Sequence, residues 1–372
     1  MKISEMLVSE DFYSILPQTL NRYADFLCIE PGSVSVVKRG EKADLYVNER
    51  LNAIIASNPS KLVKEYLRTE YSVSGNPLRK LAVAAYLTAA TTFVKSSAQM
   101  GLKLGFRKTL DDILIYPCNK KIRLFDFTEG VVKTVLKEGF PDIYIKRETG
   151  FRLRNDASFI PRITGSGDGC YSETVIRNGR PLARIRETPF VEEKKRESLK
   201  LLASLTDRPR KVVAGEYVTE LKERCLRMLS GKEGFEAGER VAALFDALLG
   251  QMQDCSVDMV LSHGDFQPGN IWLDENGKIV IIDWETVKER SPFYDYAALY
   301  CSLRNHGGLA LLCERIRNDG YLRAIEDCPA DTVLALILAE ELEYQTEELI
   351  SFPGTMGMDM YIDKIKEFEI TI

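Results

Sequence analysis

The stretch from Leu261 to Glu285 constrains this chain more than any other. It reads Leu-Ser-His263-Gly-Asp265-Phe-Gln-Pro-Gly-Asn270-Ile-Trp, then Leu-Asp-Glu-Asn276-Gly277-Lys, then Ile279-Val-Ile-Ile-Asp283-Trp-Glu285. The apolar run Ile279 to Ile282 has the length and β-branched content of a buried strand. Asn276-Gly277 is a strong hairpin turn signal. A hairpin there brings Asn270 and Asp283 side by side, with Asp265 close by in a loop broken by Pro268-Gly269. Three oxygen-bearing side chains then converge. One carboxylate and one amide oxygen suit Mg²⁺, a hard cation that keeps several waters and takes one or two protein carboxylates. A second carboxylate can accept a proton from an attacking hydroxyl. Phosphoryl transfer needs this set.

These residues resemble the catalytic loop and metal strand of the aminoglycoside phosphotransferase/choline kinase family, which has the protein-kinase-like fold. The shared pattern is H-G-D-x-x-x-x-N, a thirteen-residue step to Asp, and I-D-W-E. The resemblance spans about residues 110–350. It implies an α+β, bilobal protein-kinase-like fold, with a small antiparallel-sheet N-lobe and a mainly helical C-lobe. Asp265 is then the catalytic base or orienter of the attacking hydroxyl, and Asn270 and Asp283 are the metal ligands. The family also places a Lys on the third strand of the small lobe, paired with a Glu on the next helix, to hold the ATP phosphates. Lys133, mid-strand in Val131–Leu136, and Glu148 fit that order; Lys137 is the competing lysine.

The resemblance carries further expectations. Lys120 or Lys121 and nearby backbone N–H groups cover the phosphates, since no G-x-G-x-x-G lies between the first two strands. Backbone at Val175 and Ile176, in the hinge between lobes, meets the adenine edge. His263 pins the loop, Gln267 adds a metal or phosphate contact, and Glu285 stands behind the metal ligands. Asp295 supports the catalytic loop, or else simply caps its helix. Gly165-Ser-Gly167-Asp-Gly169 fails the dinucleotide fingerprint, because Cys170 occupies the third glycine position, and reads as a turn.

Elsewhere the pattern is coarse. Residues 1–110 read as a mostly helical extension, used to pack on the small lobe, bind a partner or oligomerise. Strands are expected at 113–116, 122–125, 131–136, 160–163 and 171–176, with a helix over 141–154. Residues 111–177 form the nucleotide-binding small lobe and residues 178–372 the helical large lobe. The last 47 residues hold twelve acidic and two basic side chains. Glu340, Glu341, Glu343, Glu347 and Glu348 there read either as a solvated helix face or as an acidic wall for a cationic substrate.

Composition narrows the function class. Lys and Arg total 50 against 55 Asp and Glu, which argues against a nucleic-acid binder. No secretory leader is visible, and the longest apolar stretch, 81–94, is shorter than the ~20 residues a membrane span needs. The eight cysteines form no C-x-x-C pair, and with two histidines a zinc site is disfavoured; scattered thiols point to a reducing cytoplasm. The expected activity is Mg²⁺-dependent transfer of the γ-phosphoryl group of ATP or GTP to a hydroxyl of an aminoglycoside, amino-alcohol or sugar. The alternative is a nucleotide-binding regulatory or scaffold module with no soluble acceptor. Protein phosphorylation is disfavoured by the absence of an A-P-E segment.

Overall fold

The computed structural model describes residues 3, 6–7, 10–38, 40–49, 51–71, 77–98, 100–106, 109–230, 235–303, 307–318, 328–351 and 356–371. The chain forms two compact units, Met1–Val191 with Gly269–Glu285, and Glu192–Pro268 with Thr286–Ile372.

The first unit is built on a nine-stranded antiparallel sheet. Its strands are β1 (Ser35–Lys38), β2 (Leu45–Asn48), β3 (Ala53–Ala56), β4 (Met100–Lys103), β5 (Ile113–Pro117), β6 (Lys121–Asp126), β7 (Val131–Leu136), β8 (Ile163–Gly167) and β9 (Cys170–Thr174). They lie in the order β1-β4-β2-β3-β5-β6-β7-β9-β8. Strands β5 to β9 match the expected positions closely, apart from β8, which begins at Ile163 rather than ending there. Residues 1–110 depart from the mostly helical reading. Helices α1 (Phe12–Arg22), α2 (Lys61–Glu70) and α3 (Pro77–Thr92) are present, but four strands lie among them. All four residues are buried in both β2 and β3. A strand buried on both faces shows no alternation, so its short apolar run gives no period to read. Nor is there a boundary near residue 110, because β3 pairs with β5 through Ile54↔Ile115 and Ile55↔Leu114. The expected break at 177/178 also differs: this unit runs on to Val191 and takes back Gly269–Glu285.

That returning segment is the hairpin. β13 (Ile271–Leu273) pairs with β14 (Ile279–Ile281), and β10 (Arg180–Pro181) completes a three-stranded ladder. Asp274 Oδ1 accepts from the N–H groups of Asn276 and Lys278 at 2.8 Å, and Gly277 adopts φ +76°. A residue with a Cβ would be strained there. α4 (Ile143–Arg152) joins the unit through Phe151, whose ring lies 4.8 Å from that of Trp284.

The second unit is mainly helical. β11 (Arg210–Val213), β12 (Ser256–Ser262) and β15 (Lys288–Arg290) form one small sheet, with α5 (Ala214–Leu229), α6 (Tyr294–Cys301) and α7 (Ala330–Ser351) among the helices. α7 is the central element. It is buried along nearly its whole length, which is why its apolar residues show no stripe. Glu340, Glu341 and Glu343 are at most 2% exposed, so these three belong neither to a solvated face nor to an acidic wall. Each has donors instead. Tyr217 and Ser291 bond Glu340, Tyr294 bonds Glu341 at 2.7 Å, and Arg224 and Lys288 hold Glu343. A buried carboxylate is tolerated only with such partners. Cys255 and Cys328 form a disulfide, a departure from the expectation of scattered thiols.

Burial raises the Glu340 carboxyl to about 7, even though the Ser291 and Tyr217 donors favour the ionised form. Its unfolded value is near 4.5, so in this window the folded chain keeps a proton that the unfolded chain has released. Stability therefore falls as pH rises from about 4.5 to about 7, by about 3 kcal/mol from this group. Urea melts at pH 5 and pH 8 are expected to show the drop, and Glu340→Gln is expected to shrink it. An unchanged drop in the variant would refute the assignment.

Candidate functional site

The site residues of the first unit gather on one face of the sheet, and register decides which residues reach it. Lys121 lies opposite Leu136, Arg123 opposite Thr134 and Phe125 opposite Val132. Glu173 on β9 lies opposite Val132. Side chains directly opposite share a face, so Lys121, Arg123, Phe125 and Glu173 lie together. Lys133 lies opposite Leu124 and Ser172, on the other face. Its Nζ is 3.1 Å from Cys28 Sγ. Lys137 has the same parity and pairs with Glu10 at 2.5 Å. Neither candidate lysine therefore meets Glu148.

Lys121 takes that place. Its Nζ lies 2.9 Å from Glu148, 2.9 Å from Asp283 and 2.8 Å from Glu285. Burial disfavours its charge, but Asp283, Glu148 and Glu285 raise its pKa well above the usual lysine value. Burial also works against ionised Glu148, yet Lys121 and Arg152 hold its pKa below normal. Glu285 shifts the other way, upward, because burial and Asp283 outweigh Lys121 and Lys120. The network continues through Arg152 to Glu173, and Arg123 reaches Glu173 at 2.6 Å. Lys120 is buried, with Nζ 3.6 Å from the Tyr144 ring centroid and 3.7 Å from Glu285. The carboxylates of Glu148, Asp283 and Glu285 offer oxygens within 4.8 Å of one another.

The hairpin sets the mouth of this cluster. Ile271 pairs with Ile281, and the Ile282 N–H donates to the Asn270 carbonyl at 3.0 Å. Asn270 is buried, and the next residue after that bond is Asp283. Asp283 has φ +68°, a left-handed conformation that costs a non-glycine residue about 1–3 kcal/mol. The ion pair to Lys121 and the fully buried Trp284, whose Nε1 donates to Ile281 at 2.8 Å, hold it there. Val175 N–H, expected at an adenine edge, donates to the Gly130 carbonyl in the turn before β7 at 2.9 Å.

Two of the cavities along this face differ in their walls. One of about 1250 Å³ is lined by charged side chains of the 152–163 loop, by Thr174 to Arg177 and by Asp274 and Glu275. Lys121, Asn270 and Asp283 are not among its walls. The other, of about 20 Å³, has Arg123, Thr174, Ile176, Trp272 and Ile282 in its walls, so it adjoins the cluster.

The second unit holds the loop that carries Asp265. Asp295, in the first turn of α6, accepts from the N–H groups of His263 at 2.8 Å and Gly264 at 2.9 Å. His263 Nδ1 accepts from Asp265 N–H at 3.2 Å, and Thr286 Oγ1 donates to the His263 carbonyl. Gln267 Nε2 lies 3.3 Å from both Asp265 oxygens. Gly264 has φ +81°, and a Cβ there would stand 2.4 Å from Arg290 Nη1 and 2.6 Å from the Thr286 carbonyl. Only glycine fits.

Residues 182–327 match the model of the phosphotransferase enzyme family. The matched segment contains both the Asp265 loop and the Asn270–Asp283 hairpin. Similar solved structures include a choline/ethanolamine kinase family protein from Mesorhizobium loti, 13% identical over 69% of this chain and 87% of that one, TM-score 0.43. A choline kinase from Cryptosporidium parvum is 13% identical over 70% and 89%, TM-score 0.44. The apo form of a thermostable mutant of aminoglycoside phosphotransferase APH(4)-Ia is 15% identical over 70% and 92%, TM-score 0.46. No curated protein matches by sequence. Among the described residues, no helix is long and apolar enough to cross a membrane.

Proposed function

We propose that the chain transfers the γ-phosphoryl group of ATP or GTP to a hydroxyl of a small molecule. The observation that carries this reading is Lys121, a buried ammonium fixed by Glu148, Asp283 and Glu285. Phosphoryl transfer depends mainly on positioning and charge neutralisation, and a braced cation supplies both. Lys121, rather than Lys133 or Lys137, then meets the nucleotide phosphates, and Glu148 holds it in place. Lys120 adds positive charge nearby. The available donors suit Mg²⁺, because the carboxylates of Asp283 and Glu285 and the amide oxygen of Asn270 are all hard oxygen ligands, and the oxygens of Glu148, Asp283 and Glu285 lie within 4.8 Å of one another. Asn270 and Asp283 would hold the ion, which when bound offsets charge on the phosphates.

Asp265 is the proton acceptor. As the acceptor oxygen bonds to the γ-phosphorus, its proton passes to the Asp265 carboxylate. The bond from the γ-phosphorus to the bridging oxygen breaks, and ADP or GDP leaves. His263 and Asp295 fix the loop backbone, and Gln267 orients the carboxylate. The cytoplasm is the compartment proposed, since six of the eight cysteines are not disulfide-bonded.

Burial of Glu340, Glu341 and Glu343 weakens the case for a cationic acceptor, so neutral sugars belong in the test beside aminoglycosides and amino-alcohols. ADP or GDP release is expected to rise above the acceptor-free rate with one of these classes. If nucleotide binds and no acceptor stimulates release, the regulatory reading replaces this one.

A further inference from the structure

The small cavity beside the Lys121 cluster is closed by a residue from outside the matched segment. Helix α2 lies on the Lys121 face of the sheet. Ser60 Oγ caps it by accepting from Val63 N–H at 3.4 Å, and Val63 and Leu67 are its buried anchors. Tyr66 projects among the aromatic side chains of β5 and β6. Its ring centroid is 5.1 Å from Phe125, 5.2 Å from Phe127 and 6.5 Å from Tyr116. It forms one wall of the cavity, with Phe125, Val132, Ile176, Trp272 and Ile282 among the others. Flat apolar walls of this kind suit a heterocyclic base. The remaining 20 Å³ holds about one water, far less than a purine.

Two features mark the Tyr66 seat as incompletely satisfied. Arg123 Nε, on the cavity wall, and Tyr116 Oη, beside the ring, are buried without a hydrogen-bond partner. A base edge carries donors and acceptors that a phenyl face lacks. The outer support of α2 is also thin, because its neighbour α3 buries only Leu87, Ala90 and Thr91, and Leu62 of α2 is 45% exposed.

Resting on the nucleotide-dependent reading above, we propose that Tyr66 gates the base pocket: nucleotide binds only when α2 withdraws this ring, so the N-terminal region restrains the phosphotransfer site. The gate lowers apparent affinity by the fraction of molecules in which it is open.

The test is calorimetric titration of the full chain with ATP and Mg²⁺, comparing wild type, Tyr66→Ala and Tyr66→Phe. Tyr66→Ala is expected to bind about tenfold more tightly, and Tyr66→Phe, which keeps the ring, to bind like wild type. Hydrogen exchange of wild type provides a check that needs no variant to fold. Amides of residues 61–70 are expected to exchange faster when nucleotide is bound. Equal or weaker binding by Tyr66→Ala, or exchange over 61–70 that nucleotide leaves unchanged or slows, overturns the gate while leaving the nucleotide reading intact. No binding of ATP or GTP by any of the three proteins overturns both.

Discussion

Replacing Asp265 by Asn is expected to lower acceptor phosphorylation by about 10²–10⁴-fold, the range a positioned general base supplies. The change keeps the size of the side chain and removes its capacity to take a proton. The loop should survive it. Its shape comes from Asp295 accepting from His263 and Gly264, and from His263 accepting from the Asp265 backbone. None of these bonds uses the Asp265 carboxylate. The deficit should therefore appear in kcat, with the nucleotide KM changed by no more than a few-fold. Steady-state rates with a saturating acceptor measure both. A variant that turns over at the wild-type rate would remove Asp265 from the chemistry. A matched collapse of nucleotide affinity would show that the loop, and not a proton acceptor, had been lost.

The parts of this molecule legible in the sequence are those set by local signals. Asn276-Gly277 between two apolar runs gave the hairpin, and with it the pairing that sets Asn270 beside Ile282 and Asp283. Strands β5 to β7, β9 and helix α4 followed from turns and local patterning, but β8 did not: Gly165 to Gly167, which read as a turn, lie in the strand and pair with Ser172, Tyr171 and Cys170. What was not legible depends on burial and register. Lys133 sat mid-strand, as the family pattern asks, but a period of two puts it on the far face from Glu148. Lys121 looked like part of a turn because it is the first residue of β6. The signal that could have found it is the alternation Lys121, Arg123, Phe125, which marks one face. The α7 glutamates were misread because charged residues on a helix normally face solvent. Apart from Gln345, which donates to Glu341 from one turn along the helix, the partners named above lie 47 to 123 residues away in the chain, where no short-range pattern reports them.

The register argument is best tested on the lysines themselves. Lys121→Met is expected to destabilise the first unit by about 3–5 kcal/mol, the cost of removing one partner from a buried charge cluster. Three carboxylates would remain within 4.8 Å of one another with their shared cation gone. Arg152 still holds Glu148 and Lys120 still lies near Glu285, so the charge left over is relieved by proton uptake. Each proton bound by the folded variant and not by the unfolded chain makes stability fall as pH rises. The penalty relative to wild type should thus be smaller at pH 5 than at pH 8. Lys121→Arg should not restore the site fully, because a planar guanidinium does not reproduce a compact ammonium held between three carboxylates. Lys133→Met is the contrast, since its ammonium lies on the opposite face beside Cys28. It is expected to leave turnover within about twofold, as a substitution away from the site should. Urea melts at the two pH values and nucleotide titrations of the three variants separate the cases. Loss of nucleotide binding in Lys133→Met with binding kept in Lys121→Met would mean that the phosphates lie on the other face of the sheet.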